Sequence, residues 1–137
     1  MSPLVLIDTS AWISALHGTT PFVQAIDQLL AARRAATNHV IVTELLIGAK
    51  TFPDYQEFEN DLTVLPHLSL TEEVWSEGGR LGFDLRRRGI AASIPDLIIA
   101  ACAIVHGCEF LGADHDVELI GRHAPLKRYN PVRGRVA

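Results

Sequence analysis

The chain has 137 residues, 48% hydrophobic and 20% charged, which fits a single globular domain, 1–137, with a core that needs no staples. Two cysteines, Cys102 and Cys108, exclude a disulfide framework and a four-cysteine zinc site, and no apolar run approaches the ~20 residues that span a bilayer. Sixteen acidic against twelve basic residues give a net charge of −4, so the overall basic character of many nucleic-acid binders is missing. Four acids gathered in one site would account for that whole excess. The two thiols read as small buried hydrophobes in a reducing compartment. The N-terminus lacks the basic region of a signal peptide. A cytoplasmic protein with no membrane partner is expected.

Leu4-Val5-Leu6-Ile7 is a short continuous apolar run, as in a strand buried on both faces of a parallel sheet. Asp8, Thr9 and Ser10 follow, all good helix caps, and a short helix runs from Ala11 to Leu16 until His17-Gly18 stops it. Pro21 opens a second helix, with Phe22, Ala25, Ile26, Leu29 and Leu30 at helical spacing, ending near Arg33-Arg34. The β-branched run Asn38 to Val42 reads as a second strand, after which Thr43 caps a helix carrying Glu44, Leu45, Leu46 and Gly48. Pro53 opens a further helix through Phe58 and Asp61. Leu62 to Leu65 reads as a third strand, closed by Pro66.

Thr71-Glu72-Glu73 begins a long helix that reaches Arg86-Arg87-Arg88 and stops at Gly89. Gly78, Gly79 and Gly82 weaken it, so a kink is expected there. Ser93-Ile94-Pro95-Asp96 starts the most apolar helix, Leu97 to Val105, which ends at His106-Gly107. Glu109 to Leu111 is a fourth strand, and a last short one near Leu126 to Tyr129 precedes a basic tail. Repeated strand–helix units with short links predict an α/β fold, a parallel sheet wrapped by helices. Such sheets bind ligands beyond the carboxyl ends of their strands.

Acids sit at those ends. Asp8 follows the first strand, Glu44 the second and Asp114 the fourth, while Asp96 lies in the first turn of the apolar helix. Each alone has a plain explanation as a cap or a first-turn carboxylate. Together they would repel one another, and a divalent cation removes that penalty. Oxygen ligands without paired Cys or His favour Mg²⁺ or Mn²⁺ over Zn²⁺. Such a site suits phosphoryl chemistry, with a carboxylate to orient or deprotonate water. Thr9 and Ser10 could add hydroxyl hydrogen bonds beyond simple capping.

Taken in order, Leu6-Ile7-Asp8-Thr9-Ser10, Glu44-Leu45 with Gly48, Ile94-Pro95-Asp96-Leu97-Ile98-Ile99-Ala100-Ala101 and Leu111-Gly112-Ala113-Asp114-His115-Asp116 resemble the PIN-domain nucleases, especially VapC-like toxins of bacterial toxin–antitoxin pairs. The likeness runs from residue 4 to about residue 120, with the first and third motifs the specific ones. It implies a three-layer α/β/α sandwich with a parallel sheet of four to five strands. It also implies an Mg²⁺- or Mn²⁺-dependent endoribonuclease, a small antitoxin that blocks the site, and a homodimer. By motif match Asp8, Glu44, Asp96 and Asp114 would be catalytic. Asp8, Asp96 and Asp114 would hold the metal, with Asp116, Thr9 and Ser10 auxiliary. The chain departs from the family pattern at Gly112, where many relatives carry Thr or Ser, and at Val117, where many carry an aromatic.

Arg86, Arg87 and Arg88 are candidates to hold an RNA backbone, as are Arg33-Arg34 and the tail residues Lys127, Arg128, Arg133 and Arg135. Trp12 and Trp75 are expected in core or interface packing rather than base stacking, and apolar residues after Trp12 suit an antitoxin or dimer surface. Among the histidines only His115, between two acids, stands near the site. A haloacid-dehalogenase-like phosphatase would need a second Asp where Ser10 stands. A receiver domain would need a Lys after a late strand, and none lies between Lys50 and Lys127. A non-catalytic RNA-binding or protein-interaction module of the same fold is the alternative.

Overall fold

The computed structural model describes residues 2–131 in full and the backbone of residues 135 and 136. In chain order the elements are β1 (Val5–Ile7), α1 (Thr9–Leu16), α2 (Thr20–Ala31), β2 (Ala35–Ala36), α3 (His39–Ile47), α4 (Phe52–Thr63), α5 (Glu72–Arg87), α6 (Ile94–His106), β3 (Glu109–Leu111), α7 (His115–His123), β4 (Lys127–Asn130) and β5 (Arg135–Val136). The sheet order is β2-β1-β3-β4-β5. β1 pairs in parallel with β2 and β3, β3 pairs in parallel with β4, and β5 closes the edge antiparallel to β4.

Strand alternation builds the layers. Val5, Ile7 and Leu111 pack with Ala11, Ala25, Ile26 and Leu29, so α1 and α2 cover one face. Leu6 and Phe110 pack with Ile41, Leu45, Leu62, Val74 and Ile99, so α3 to α6 cover the other. This is the expected α/β/α sandwich around four parallel strands. The continuous apolar run of β1 is explained by burial on both faces. Cys102 and Cys108 are free and buried within the second layer.

The long helix is continuous from Glu72 to Arg87. Two of its glycines are contact points: a Cβ at Gly78 would lie 2.6 Å from Ile98 Cδ1, and one at Gly82 would lie 2.8 Å from Leu97 Cδ1. α5 and α6 therefore form a tight antiparallel hairpin, which brings Arg86, Arg87 and Arg88 to the same end as Asp96.

Two expected strands are corrected. Asn38 to Val42 is not a strand: Asn38 caps α3 by accepting the Ile41 N–H on Oδ1 at 3.0 Å, and His39–Ile47 is helical. Ile41 is buried and Val40 and Val42 are half-buried, so this run packs as one side of a helix, and tertiary packing overrides β propensity. The true strand is Ala35–Ala36, two residues with no β signal of their own. Thr43 consequently lies inside α3 and does not cap it. Leu62 to Leu65 closes α4, with the Leu65 N–H bonded to the Leu62 carbonyl at 3.2 Å. Extended pairing appears a little later, as a bridge between Thr37 and His67.

Candidate active site

Three elements aim acids at the carboxyl edge of the sheet. β1 ends at Ile7, and Asp8 caps α1 there. β3 ends at Leu111, and Asp114 caps α7 through a bond from the Val117 N–H at 3.0 Å. The Asp8 N–H bonds the Leu111 carbonyl at 2.8 Å, which ties the two strand ends together. α6 runs back toward β3, so its first turn, capped by Ser93, delivers Asp96 to that edge. Glu44 arrives differently from the sequence expectation. It stands in the middle of α3, not directly after a strand.

Two hydroxyls link these parts. Ser10 Oγ donates to Asp8 Oδ2 at 2.5 Å and accepts the Ala113 N–H at 2.9 Å, so one side chain holds Asp8 and the loop after β3 together. The Ser10 N–H also bonds Asp8 Oδ2, at 3.1 Å. Thr9 Oγ1 donates to Glu44 Oε1 at 2.7 Å, across the gap between α1 and α3. Both residues thus do more than cap a helix, a role visible only once α3 and the β3–α7 loop are in place.

The electrostatics show which acids converge. Asp8 is 4% exposed. Burial pushes its carboxyl up to about 6; the Ser10 hydroxyl and N–H oppose the rise, while the Asp114 and Asp96 charges add to it. Burial also pushes Asp96 up, against the Ser93 hydroxyl and with the charges of Asp114, Asp116 and Glu44. Asp114 therefore acts on both the buried Asp8 and the half-buried Asp96, and Asp116 on Asp96. Among the described residues no three His, Cys, Asp or Glu side chains are already drawn around one point. The carboxylates sense one another as charges without closing into a ligand set. The donors are all oxygen, and both hydrogen bonds to the Asp8 carboxylate fall on Oδ2, leaving Oδ1 without a protein donor among the described residues. That donor set suits a hard divalent cation.

Residues 5–122 match the PIN domain. The chain belongs to the PIN-domain family. It is 32% identical over 129 residues to VapC ribonuclease Mb1587 of Mycobacterium bovis, an alignment covering 90% of this chain and 96% of that protein. The PIN fold extends to solved structures. VapBC-1 from nontypeable Haemophilus influenzae superposes with a TM-score of 0.76 at 16% identity, covering 93% of this chain and 98% of that one. VapBC-5 from Mycobacterium tuberculosis, a member of the VapBC family of toxin–antitoxin systems, gives 0.63 at 24% identity, covering 92% and 98%.

The structure explains the departure at Gly112 from the PIN pattern. A Cβ there would lie 2.8 Å from both methyl carbons of Val117, so glycine lets the first turn of α7 settle onto the strand end. Ser10 supplies the hydroxyl at this corner instead. The basic clusters divide. Arg86, Arg87 and Arg88 are exposed at the site's end of α5. Arg34 is not available for RNA: its guanidinium bonds Glu109 Oε1 at 2.7 Å and the Pro3 carbonyl at 2.8 Å, at the opposite edge of the sheet. Arg128 is half-buried and packs near Gly121. Arg133 and the side chain of Arg135 lie outside the described residues. Trp12 packs against both core layers as expected, whereas Trp75 is 51% exposed.

An apolar groove of about 850 Å³ opens beside Glu44, lined by Trp12, Ile13, Leu16, Leu45, Phe58 and Val64. Asp54, Glu57 and Asp61 stand along it with a single lysine, Lys50. No described helix is long and apolar enough to cross a membrane.

Proposed function

We propose that this chain is a divalent-metal-dependent endoribonuclease, the toxin of a toxin–antitoxin pair, with its active site at Asp8, Glu44, Asp96 and Asp114. The observation that carries the reading is the electrostatic convergence of Asp8, Asp96 and Asp114 at one sheet edge, in a PIN-family chain with a VapC ribonuclease relative.

Asp8, Asp96 and Asp114 would hold Mg²⁺ or Mn²⁺, which when bound neutralises phosphate charge and acidifies water. Ser10 fixes the Asp8 carboxylate by one oxygen and leaves the other free. Thr9 holds Glu44 by Oε1, and the Glu44 carboxylate would take a proton from the attacking water. Asp116, which acts on Asp96 and not on Asp8, is auxiliary. Arg86, Arg87 and Arg88 hold phosphates of the RNA beside the site. The groove beside Glu44 suits the antitoxin, as an apolar floor with an acidic margin fits an amphipathic basic segment.

The test compares wild type with Asp8→Asn and Asp96→Asn on structured RNA in Mg²⁺, Mn²⁺ or EDTA. Wild type is expected to cleave with metal and not in EDTA, and each variant to lose at least about 100-fold. Equal cleavage by all three proteins removes the site assignment. Metal-independent binding without cleavage by any preparation favours the non-catalytic module.

A further inference from the structure

The arginines at the end of α5 do not stand alone. Phe83 is 62% exposed on the same helix, and the Arg87 guanidinium lies over its ring, 5.4 Å from the centroid. Gly79 lies one turn earlier on the same face, and a Cβ there would meet nothing within 4 Å. The ring has a cation on one side and is otherwise largely open to solvent.

Charge separates this part of the helix from the rest. Residues 81 to 88 carry Arg86, Arg87 and Arg88 against Asp84, while Arg80 is paired with Glu77 at 3.4 Å. The first turns carry Glu72, Glu73 and Glu77 around the exposed Trp75, which makes that end unfit for a polyanion. The basic end also lies next to the acids, because Gly82 packs on Leu97, the residue after Asp96.

We propose that Phe83, with Arg87 behind it, is a stacking platform for an unpaired base of the RNA substrate. Arg86 and Arg88 hold the adjoining phosphates. The inference rests on the ribonuclease reading for its ligand and adds a preference to it. An aromatic face stacks on any exposed base but finds none in a closed duplex. The platform therefore selects RNA with an unpaired nucleotide beside the scissile bond.

Binding is measured in EDTA by fluorescence anisotropy, so that no RNA is cut. The probes are a labelled unpaired oligoribonucleotide and a duplex of the same length. Phe83→Ala is expected to weaken binding of the unpaired probe by about 5- to 50-fold and of the duplex by less than about 2-fold. Phe83→Trp is expected to restore it. Gly79→Leu places a bulky side chain one turn from the ring on the same face and improves helix propensity, so it is expected to raise the melting temperature while weakening unpaired RNA to a similar degree. Unpaired binding within about 2-fold of wild type in both Phe83→Ala and Gly79→Leu overturns the platform. Equal weakening toward the duplex also overturns it. So does a loss that tracks a dimer-to-monomer shift in sedimentation, since the face would then be a contact between copies. The expected binding pattern from a chain that cleaves no RNA in Mn²⁺ leaves the platform standing and removes the nuclease reading alone.

Discussion

Asp8 combines two conflicting demands. It is buried, which disfavours its charge, and it stands near Asp114 and Asp96, which disfavour it further. Its folded-state value of about 6 lies above the ordinary 3.8, so the metal-free fold binds this proton more tightly than the unfolded chain does. The resulting stability is complete below about pH 4 and is lost as pH rises through about 6, an effect approaching ~3 kcal/mol. Metal-free protein is expected to melt at lower temperature at pH 7 than at pH 5. Asp8→Asn, which keeps an acceptor for Ser10 without the charge, is expected to be more stable than wild type at pH 7 and to show a flatter pH profile. Thermal melts in EDTA across this range check it; a variant less stable than wild type at pH 7 contradicts it. At this scale Asp8, Asp96 and Asp114 were legible because each borders a strongly apolar segment. What Ser10 and Thr9 do was not, because their partners Ala113 and Glu44 are distant in sequence.

Legibility at the level of elements followed burial. β1, β3 and α6 announced themselves as continuous apolar runs, since each is covered on more than one side. α3 misled for a different reason: only Ile41 and Leu45 are buried, while the half-buried Val40 and Val42 and the exposed Ile47 are apolar too, so the amphipathic period is blurred and Val40-Ile41-Val42 looks like a strand. β2 is only two alanines and carries no pattern. Hence the sequence places Glu44 after a strand, whereas it stands in the middle of α3, where Thr9 reaches it. The glycines of α5 were read as weakness, yet Gly78 and Gly82 are where the helix meets α6. Neighbouring positions should therefore respond in opposite directions. Gly78→Leu must displace Ile98 and is expected to cost about 1–3 kcal/mol. Gly79→Ala, which meets open space, is expected to gain up to ~1 kcal/mol. Denaturant unfolding of the two variants decides it, and a stabilised Gly78→Leu would show that α5 and α6 are not in close contact.

Across the whole molecule, function and fold share one edge. The parallel sheet sends β1 and β3 to the same side, the α5–α6 hairpin adds Asp96 and a basic helix end, and α3 adds Glu44. The acids there account for the negative net charge, and the arginines of α5 restore local attraction for a polyanion. The carboxylates are near enough to raise one another but, among the described residues, are not closed around a point; in the reading proposed above, a divalent cation would draw them together. The direct measurement is a Mn²⁺ titration at pH 7, read by electron paramagnetic resonance. Wild type is expected to bind Mn²⁺ saturably, with the site weakened at least about 10-fold in Asp8→Asn and in Asp96→Asn. Indistinguishable Mn²⁺ binding by the three proteins would contradict the account.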